Sequence, residues 1–508
     1  MMVAIAELKA FVRDAIRQLS HERDFSEFEI YAASSTQRIA RLSYTSDIPC
    51  RGVEEIKSLG ADGFEVRVAM RRDPHEVGTA FEAGDLSRAA LHKVVERARR
   101  AAIVDPHFPG FARDPRKFSA GAAGTGDLAR ASDAALASSA WQIVGGALRA
   151  FRTGNRNGVD RPGLVIGGDV SIIHDRIAIG GSNFSDVRCD ESAYFISSVT
   201  AIVESIDAKG TATAVGGTTA QMRRAAAALG GSAIRRALTL GHGVRPPSGK
   251  YRVVLGPQPV AEILNYMVMG SLTTGAFYAA SSAYQGRFGA RVMDERIAIV
   301  DDPMLRAGSV QRRVTCEGLP ARKTELIRAG RLAGLLSNVY DSHRLETDEA
   351  REEKLGALGK DATFPPVAGY RLGEGGGRRF DADPGATATN VVMRARGGVS
   401  DRAMLQAVGD GIYIGRVWYT YPINGQRAGD FTCTVTGDSY LIRDGKLATP
   451  LAPNCLRINA NIADVFVSPV SIGARITPTI VWGAAETYFV PAIAAGNIIL
   501  AEIGNDPS

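Results

Sequence analysis

The stretch YRVVLGPQPVAEILNYMVMGSL, residues 251–272, joins a strand-like run to a helix and decides how the second half of the chain is built. Val253, Val254 and Leu255 read as a buried β segment. The Pro-Gln-Pro after Gly256 opens a helix, because proline at the first helical positions forfeits only an N–H that has no partner there. Apolar residues then recur at Val260, Ile263, Leu264, Met267 and Val268, the spacing of one buried helix face. A helix packed behind a strand is a common mount for a catalytic site. This one presents Asn265, Tyr266, Met269 and Gly270, with neither imidazole nor thiol among them.

Outward from this stretch, 508 residues exceed what one hydrophobic core usually supports, so at least two domains are expected. The linker-like GHGVRPPSGK places the division at 245/246: an N-terminal α/β domain (1–245) with a mixed or antiparallel sheet, and a β-rich, barrel- or sandwich-like domain (246–508) with flanking helices. The fold class is α+β. No apolar run is long enough to cross a membrane. The first residues, MMVAIAELKAFVRDAIRQL, carry Glu7, Lys9, Arg13 and Asp14 inside their apolar pattern and read as an amphipathic helix, so a cytoplasmic protein is expected. Five scattered cysteines without a CxxC support neither a disulfide framework nor a cysteine-rich zinc site.

The net charge of +6 raises the question of nucleic acid. The arginines are dispersed, in RARR (97–100), QRR (311–313) and GRR (377–379), with no aromatic-plus-basic motif beside them. That pattern reads as solvated surface and argues against a nucleic-acid site.

Along the first half, residues 29–47 and 63–72 alternate like half-buried strands, and 85–102 reads as a helix with Asp85 as N-cap. A Gly/Ala-rich stretch (118–140) reads as loop. Antiparallel strands follow (GLVIGGDVSIIHDRIAIGGS, YFISSVTAIVES), and then a helix over 218–238 interrupted at Gly230–Gly231. In the second half, DRAMLQAVGDGIYIG is helix then strand, TGD and RDGK are hairpin turns, and 348–386 is a long surface loop.

Candidate chemistry is sparse. His75–Glu76 lacks the second histidine of a zinc helix and reads as a surface turn. HDR (174–176) reads as a polar strand edge. His343, near Asp341, Glu346 and Asp348, is a solvated strand end or a weak metal site. GEGGGRR (373–379) lacks the Lys-Ser/Thr of a phosphate loop.

The order and spacing of several segments nevertheless resemble one family along nearly the whole chain. They are GFEVRVAMRRDPHEVGTAFEAGDLSRAALHKVVERARRAA, SGKYRVVLGPQPVAEIL, SSAYQGRFGARVMDERIAIVDDP, CEGLPARKTELIRAGRLAGLLSNVYDSHRL, GDFTCTVTGDSYLIRDGKLATPL and AAGNIILAEIG. The family is that of the TldD/PmbA proteins, also called modulators of DNA gyrase. The resemblance implies a heterodimer of a zinc peptidase, the TldD type with HExxxH after the VVLG strand and a late cysteine ligand, and a TldE/PmbA-like partner. Together they cleave unfolded or leader-bearing peptides.

Aligned on VVLG, Asn265 stands for the first histidine, Tyr266 for the glutamate and Gly270 for the second histidine. IVWGAAETYFVPAI, with Trp482, takes the place of the ligand-bearing loop. Residues five apart lie roughly 140° beyond a full turn on an ideal helix, so such a site needs a distorted helix. The resemblance therefore implies a TldE/PmbA-like, non-catalytic subunit. No cofactor is expected in this chain, and zinc is expected in its TldD-like partner. Asn265, Tyr266, Met269, Gly270 and Trp482 are the candidate wall of a shared peptide chamber, while core filling is the alternative for Met267 and Met269. Two other readings stay open: a self-sufficient hydrolase with metal at His343, and a basic nucleic-acid-associated modulator. RVWYTYPINGQ (416–426) and the 348–386 segment suggest a specialised member acting on a particular peptide or peptide-like natural product.

Overall fold

The computed structural model describes residues 2–116, 127–154, 163–240, 243–306, 310–373 and 376–504. Its first sheet has eight strands, every pairing antiparallel. Across it run Ile103–Val104, Glu76–Ala83, Lys57–Met70, Phe25–Thr45, Leu164–Gly181, Arg188–Val203 and Ala208–Gly216, with Gly52–Val53 beside Phe25–Thr45. Period-2 alternation sorts the long strands into two apolar faces. Ile30 and Ala32 lie under the helices Ile5–Leu19 and Arg88–Arg100, and Ala40 and Leu42 under Asp133–Gly154 and Thr219–Leu240. On the opposite face, Tyr31, Ala33, Ile177 and Ile179 pack against Val314, Cys316 and Phe380 from the second half of the chain.

That second half builds a nine-stranded and a six-stranded sheet. In the larger, Gly249–Leu255 lies between Ile493–Glu502 and Gly411–Ile414, and the row ends at Arg416–Pro422 on one side. The smaller ends at Thr477–Ile480. Pairing is antiparallel except where Gly411–Ile414 runs beside Gly249–Leu255 and Asn390–Ala395 beside Thr487–Val490. The helix after Leu255 shares one core with both sheets: Val260, Ile263, Leu264, Met267 and Val268 are fully buried together with Val253, Ile412, Tyr488 and Val490. The fold is α+β, as expected.

Several local expectations are corrected. Ser87 caps the second helix, its hydroxyl accepting from Ala90 N–H, while Asp85 accepts from Ser87 N–H one step earlier. The Gly/Ala-rich stretch is helical from Asp133 onward, and its residues 118–126 lie outside the described residues. Gly230–Gly231 interrupts nothing: the helix runs unbroken through Thr219–Leu240. A Cβ at Gly230 would fall 1.9 Å from Ile143 O on the neighbouring helix, so glycine there permits a close helix crossing rather than a break. TGD joins strands that do not pair with each other, whereas RDGK is a hairpin turn with Asp444 and Gly445 at positive φ.

The largest correction concerns charge. Arg378 is fully buried and bonds both Asp175 and Asp190, which are buried as well. Arg313 bonds Asp190 at 3.0 Å, and Arg312 is fully buried beside the Tyr370 ring. Arg378 and Arg313 thus clamp the second half of the chain onto the first sheet, and Arg312 is an interior group beside them rather than solvated surface. HDR lies in an interior strand rather than at an edge. Its His174 meets Glu191 at 2.7 Å, and that hydrogen bond draws the Glu191 carboxyl down to about 2 against the effect of burial. The 348–386 segment is accordingly not a surface loop. It holds the short helix Arg351–Leu355 and the strand pair Gly369–Tyr370 with Gly385–Ala386, and it buries Tyr370, Arg371, Arg378 and Phe380.

Candidate functional site

The site is built on one irregular helix. It begins as α-helix over Pro257–Ile263, becomes a π turn over Leu264–Val268 and tightens to a 3-10 turn over Met269–Ser271. The distortion expected from the five-residue spacing is therefore present, and it lies on those residues. A π turn bonds i to i+5, which draws residues five apart toward one face and strands carbonyls that an α-helix would satisfy. A side chain from far along the chain takes them up: Gln426 donates its Nε2 to Met267 O at 2.6 Å and to Tyr266 O at 3.3 Å. Insertion of a side chain into the helical ladder is a recognised cause of such a distortion.

The outer face of this helix opens onto a cleft of about 630 Å³ lined by all five candidates: Asn265, Tyr266, Met269, Gly270 and Trp482. Asn265 is held from below, its Oδ1 accepting from the Tyr488 hydroxyl at 2.8 Å. Tyr266 reaches across the cleft and donates to Trp482 O at 3.0 Å. Gly270 faces open space: a Cβ there would meet nothing within 4 Å. Met267 is fully buried and fills core, as weighed for it, whereas Met269 is buried yet still lines the cleft. The floor adds Tyr370 and Glu486, whose carboxyl is raised by burial. Glu262, one turn before Tyr266, is pushed up to about 7 by burial, partly offset by Arg416 and by the hydrogen bond from Gln258.

Beside the cleft lies an aromatic shelf. The Trp418 and Trp482 rings are 5.7 Å apart, and Tyr419 and Trp482 are 72% and 68% exposed. Trp418 and Tyr419 belong to Arg416–Pro422, the end strand of the larger sheet. Side-chain periodicity identified neither Tyr488 nor Gln426. The one local signal for Tyr488 was its place in the ETYFV run after Trp482, and for Gln426 its place at the end of RVWYTYPINGQ.

The His343 group does not assemble. His343 lies in the helix Val339–Glu346 rather than at a strand end, and each neighbouring carboxylate has another partner. Glu346 accepts from Ser342, Asp348 pairs with Lys354, and Asp341 lies 3.8 Å from Arg344. Among the described residues, no three His, Cys, Asp or Glu side chains converge as a metal-holding group.

An antiparallel sheet clamped to a two-sheet body, with a cleft over a π-distorted helix, defines the class. The chain belongs to the PmbA/TldA metallopeptidase family, whose C-terminal domain model matches residues 248–502. Its fold is similar to that of TldE from Thermococcus kodakarensis, with a TM-score of 0.77 at 15% identity over 98% of this chain and 100% of that one. It is also similar to a putative modulator of DNA gyrase from Thermotoga maritima, with a TM-score of 0.76 at 16% identity over 97% and 99% of the two chains. At such identities the likeness is one of fold. An uncharacterized protein of Methanocaldococcus jannaschii is 24% identical over 241 residues, 46% of this chain, and the match spans 50% of that relative's length.

A metallopeptidase family implies a catalytic metal, and the residues at the π turn do not fit one. Zinc needs imidazole, thiolate or carboxylate donors. Here the position offers an amide oxygen already engaged by Tyr488, a phenol whose ionisation is disfavoured by burial, and a glycine.

Proposed function

We propose that this chain is the TldE/PmbA-like, non-catalytic subunit of a cytoplasmic heterodimeric peptidase. Its partner is a TldD-like HExxxH subunit carrying the zinc, and its substrate is an unfolded, leader-bearing or natural-product peptide. The observation that carries this reading is the helix itself: it carries a π distortion over Leu264–Val268 while the side chains at that turn hold no metal donor set. The chain's part is then to form one wall of a substrate chamber. Two strands that end their sheets, Arg416–Pro422 and Thr477–Ile480, flank the helix and suit an extended peptide, whose backbone can pair with a strand while side chains enter pockets. The division at 245/246 belongs to the same proposal.

The test is affinity capture of the chain from its native lysate, with mass spectrometry of what co-purifies near one-to-one. A partner bearing HExxxH and a late cysteine is expected, together with peptide hydrolysis by the pair and none by this chain. A chain recovered alone that holds one zinc and hydrolyses peptides overturns the proposal.

A further inference from the structure

The aromatic shelf beside the cleft is held open by an irregularity in its strand. In Arg416–Pro422 the pairs Trp418–Thr434 and Tyr421–Thr432 enclose Tyr419 and Thr420 on one side and only Cys433 on the other, a β-bulge. Regular alternation would put Tyr419 on the same face as Val417, which is fully buried in the core. The bulge instead buries Thr420 and turns Tyr419 out beside Trp418. The backbone records the effect: Tyr419 sits at φ +55°, a left-handed conformation that strains a bulky side chain. Beyond Tyr419, Tyr421 and Ile423 are half-exposed as well. An aromatic patch held in solvent by a strained backbone marks a binding surface.

The chemistry and position of the shelf say what it binds. No side chain from Val417 to Ile423 or from Ile480 to Ala485 carries a charge. Trp418 stands between the other two rings, 5.7 Å from Trp482 at 49° and 6.0 Å from Tyr419 at 86°. At these separations aromatic rings favour tilted and edge contacts. Trp482 lines the cleft as well, so a group in the cleft lies next to the shelf. Both parts of the shelf are tied to the π-turn helix. The Tyr266 hydroxyl holds Trp482 O, and Gln426, shortly after Ile423, holds the carbonyls of Tyr266 and Met267. We propose that Trp418, Tyr419 and Trp482 form a specificity site for one aromatic side chain of a peptide lying in the cleft. The incoming ring packs against the exposed rings of Tyr419 and Trp482. This rests on the function proposed above and deepens it, adding a preference for aromatic residues in the substrate.

The test uses the full-length chain and acetylated, amidated hexapeptides that differ at one residue, phenylalanine, leucine or arginine, with binding read by calorimetry. The wild type is expected to bind the phenylalanine peptide about tenfold more tightly than the leucine peptide. Trp482→Ala is expected to bring the two within about twofold. Tyr419→Gly is expected to do the same while raising the melting temperature, because glycine takes a positive φ without strain. Equal binding of the phenylalanine and leucine peptides by the wild type overturns the aromatic site and leaves the peptide-binding wall standing. Tightest binding of the arginine peptide overturns it in favour of a cationic side chain drawn by Asp383 and Glu486 in the cleft. Binding of none of the three overturns the site and the wall together. If both variants keep the preference but no longer co-purify with a TldD-like subunit, the shelf is an interface between subunits and the proposal falls.

Discussion

The Tyr488 hydroxyl donates to Asn265 Oδ1 at 2.8 Å, tying the π turn to a strand 223 residues further along the chain. Tyr488 is fully buried and burial raises its phenol well above the ordinary value, so its proton stays on and needs an acceptor. Asn265→Ala removes that acceptor and should cost about 1–3 kcal/mol. Tyr488→Phe, which takes donor and demand away together, should cost less. A double-mutant cycle by urea denaturation should return a coupling of about 1 kcal/mol; additive costs would show that the bond contributes nothing.

Gln426 should control the π turn. Gln426→Ala frees the carbonyls of Tyr266 and Met267, and a loss of about 1 kcal/mol is expected. Hydrogen exchange in 264–271 should accelerate while that of 257–263 stays unchanged. Uniform exchange along the helix would show that the turn is fixed by its own sequence.

A metal-holding pair should be installable at the π turn. Gly270→His meets open space and should leave the melting temperature nearly unchanged. Asn265→His combined with Gly270→His should bind Zn²⁺, read as a zinc-dependent rise in melting temperature. The wild type should show no rise and well under one zinc per chain by elemental analysis.

Glu262 should make stability depend on pH. Burial raises its carboxyl from 4.5 to about 7, so the folded state holds a proton that the unfolded chain has released. Its contribution is therefore complete below pH 4.5 and is lost as pH rises through about 7. Glu262→Gln, which keeps an acceptor for Gln258, should match the wild type near pH 5 and exceed it at pH 8.5 by on the order of 2 kcal/mol. A difference independent of pH would show that Glu262 is ionised throughout.

Arg378 should be indispensable to the clamp. Arg378→Met leaves Asp175 and Asp190 buried with much of their compensation gone, at a cost of about 3–5 kcal/mol. Protease digestion should then cut the second half of the chain away from the first sheet. Arg379→Met, at a pair exposed to solvent, should change stability by no more than about 1 kcal/mol.

Burial faces were legible in the sequence because burial imposes a period. Leu8, Val12, Ala15 and Leu19 repeat at helical spacing and are all buried, and so are Val260, Ile263, Leu264, Met267 and Val268. The turn at Asp444–Gly445 was legible because positive φ selects such residues. Arginine carries no comparable local mark. Arg378 has the same letter as Arg379, and only partners 188 and 203 residues away make one interior and the other exposed. Gly230 misled for the same reason: a glycine that breaks a helix and one that admits a neighbouring helix look alike until Ile143 is brought beside it.

The sequence by itself determined the α+β pattern of elements and the absence of imidazole and thiol from the helix after Leu255, because periodicity and residue chemistry are local properties. Only the tertiary structure decided that Asn265, Tyr266, Met269, Gly270 and Trp482 line one cleft. It alone brought Gln426 onto the carbonyls of the π turn and turned scattered arginines into a buried clamp. The reason is physical: an unpaired carbonyl or charge has no fixed energy along the chain. Its energy is set by the group that folding brings beside it.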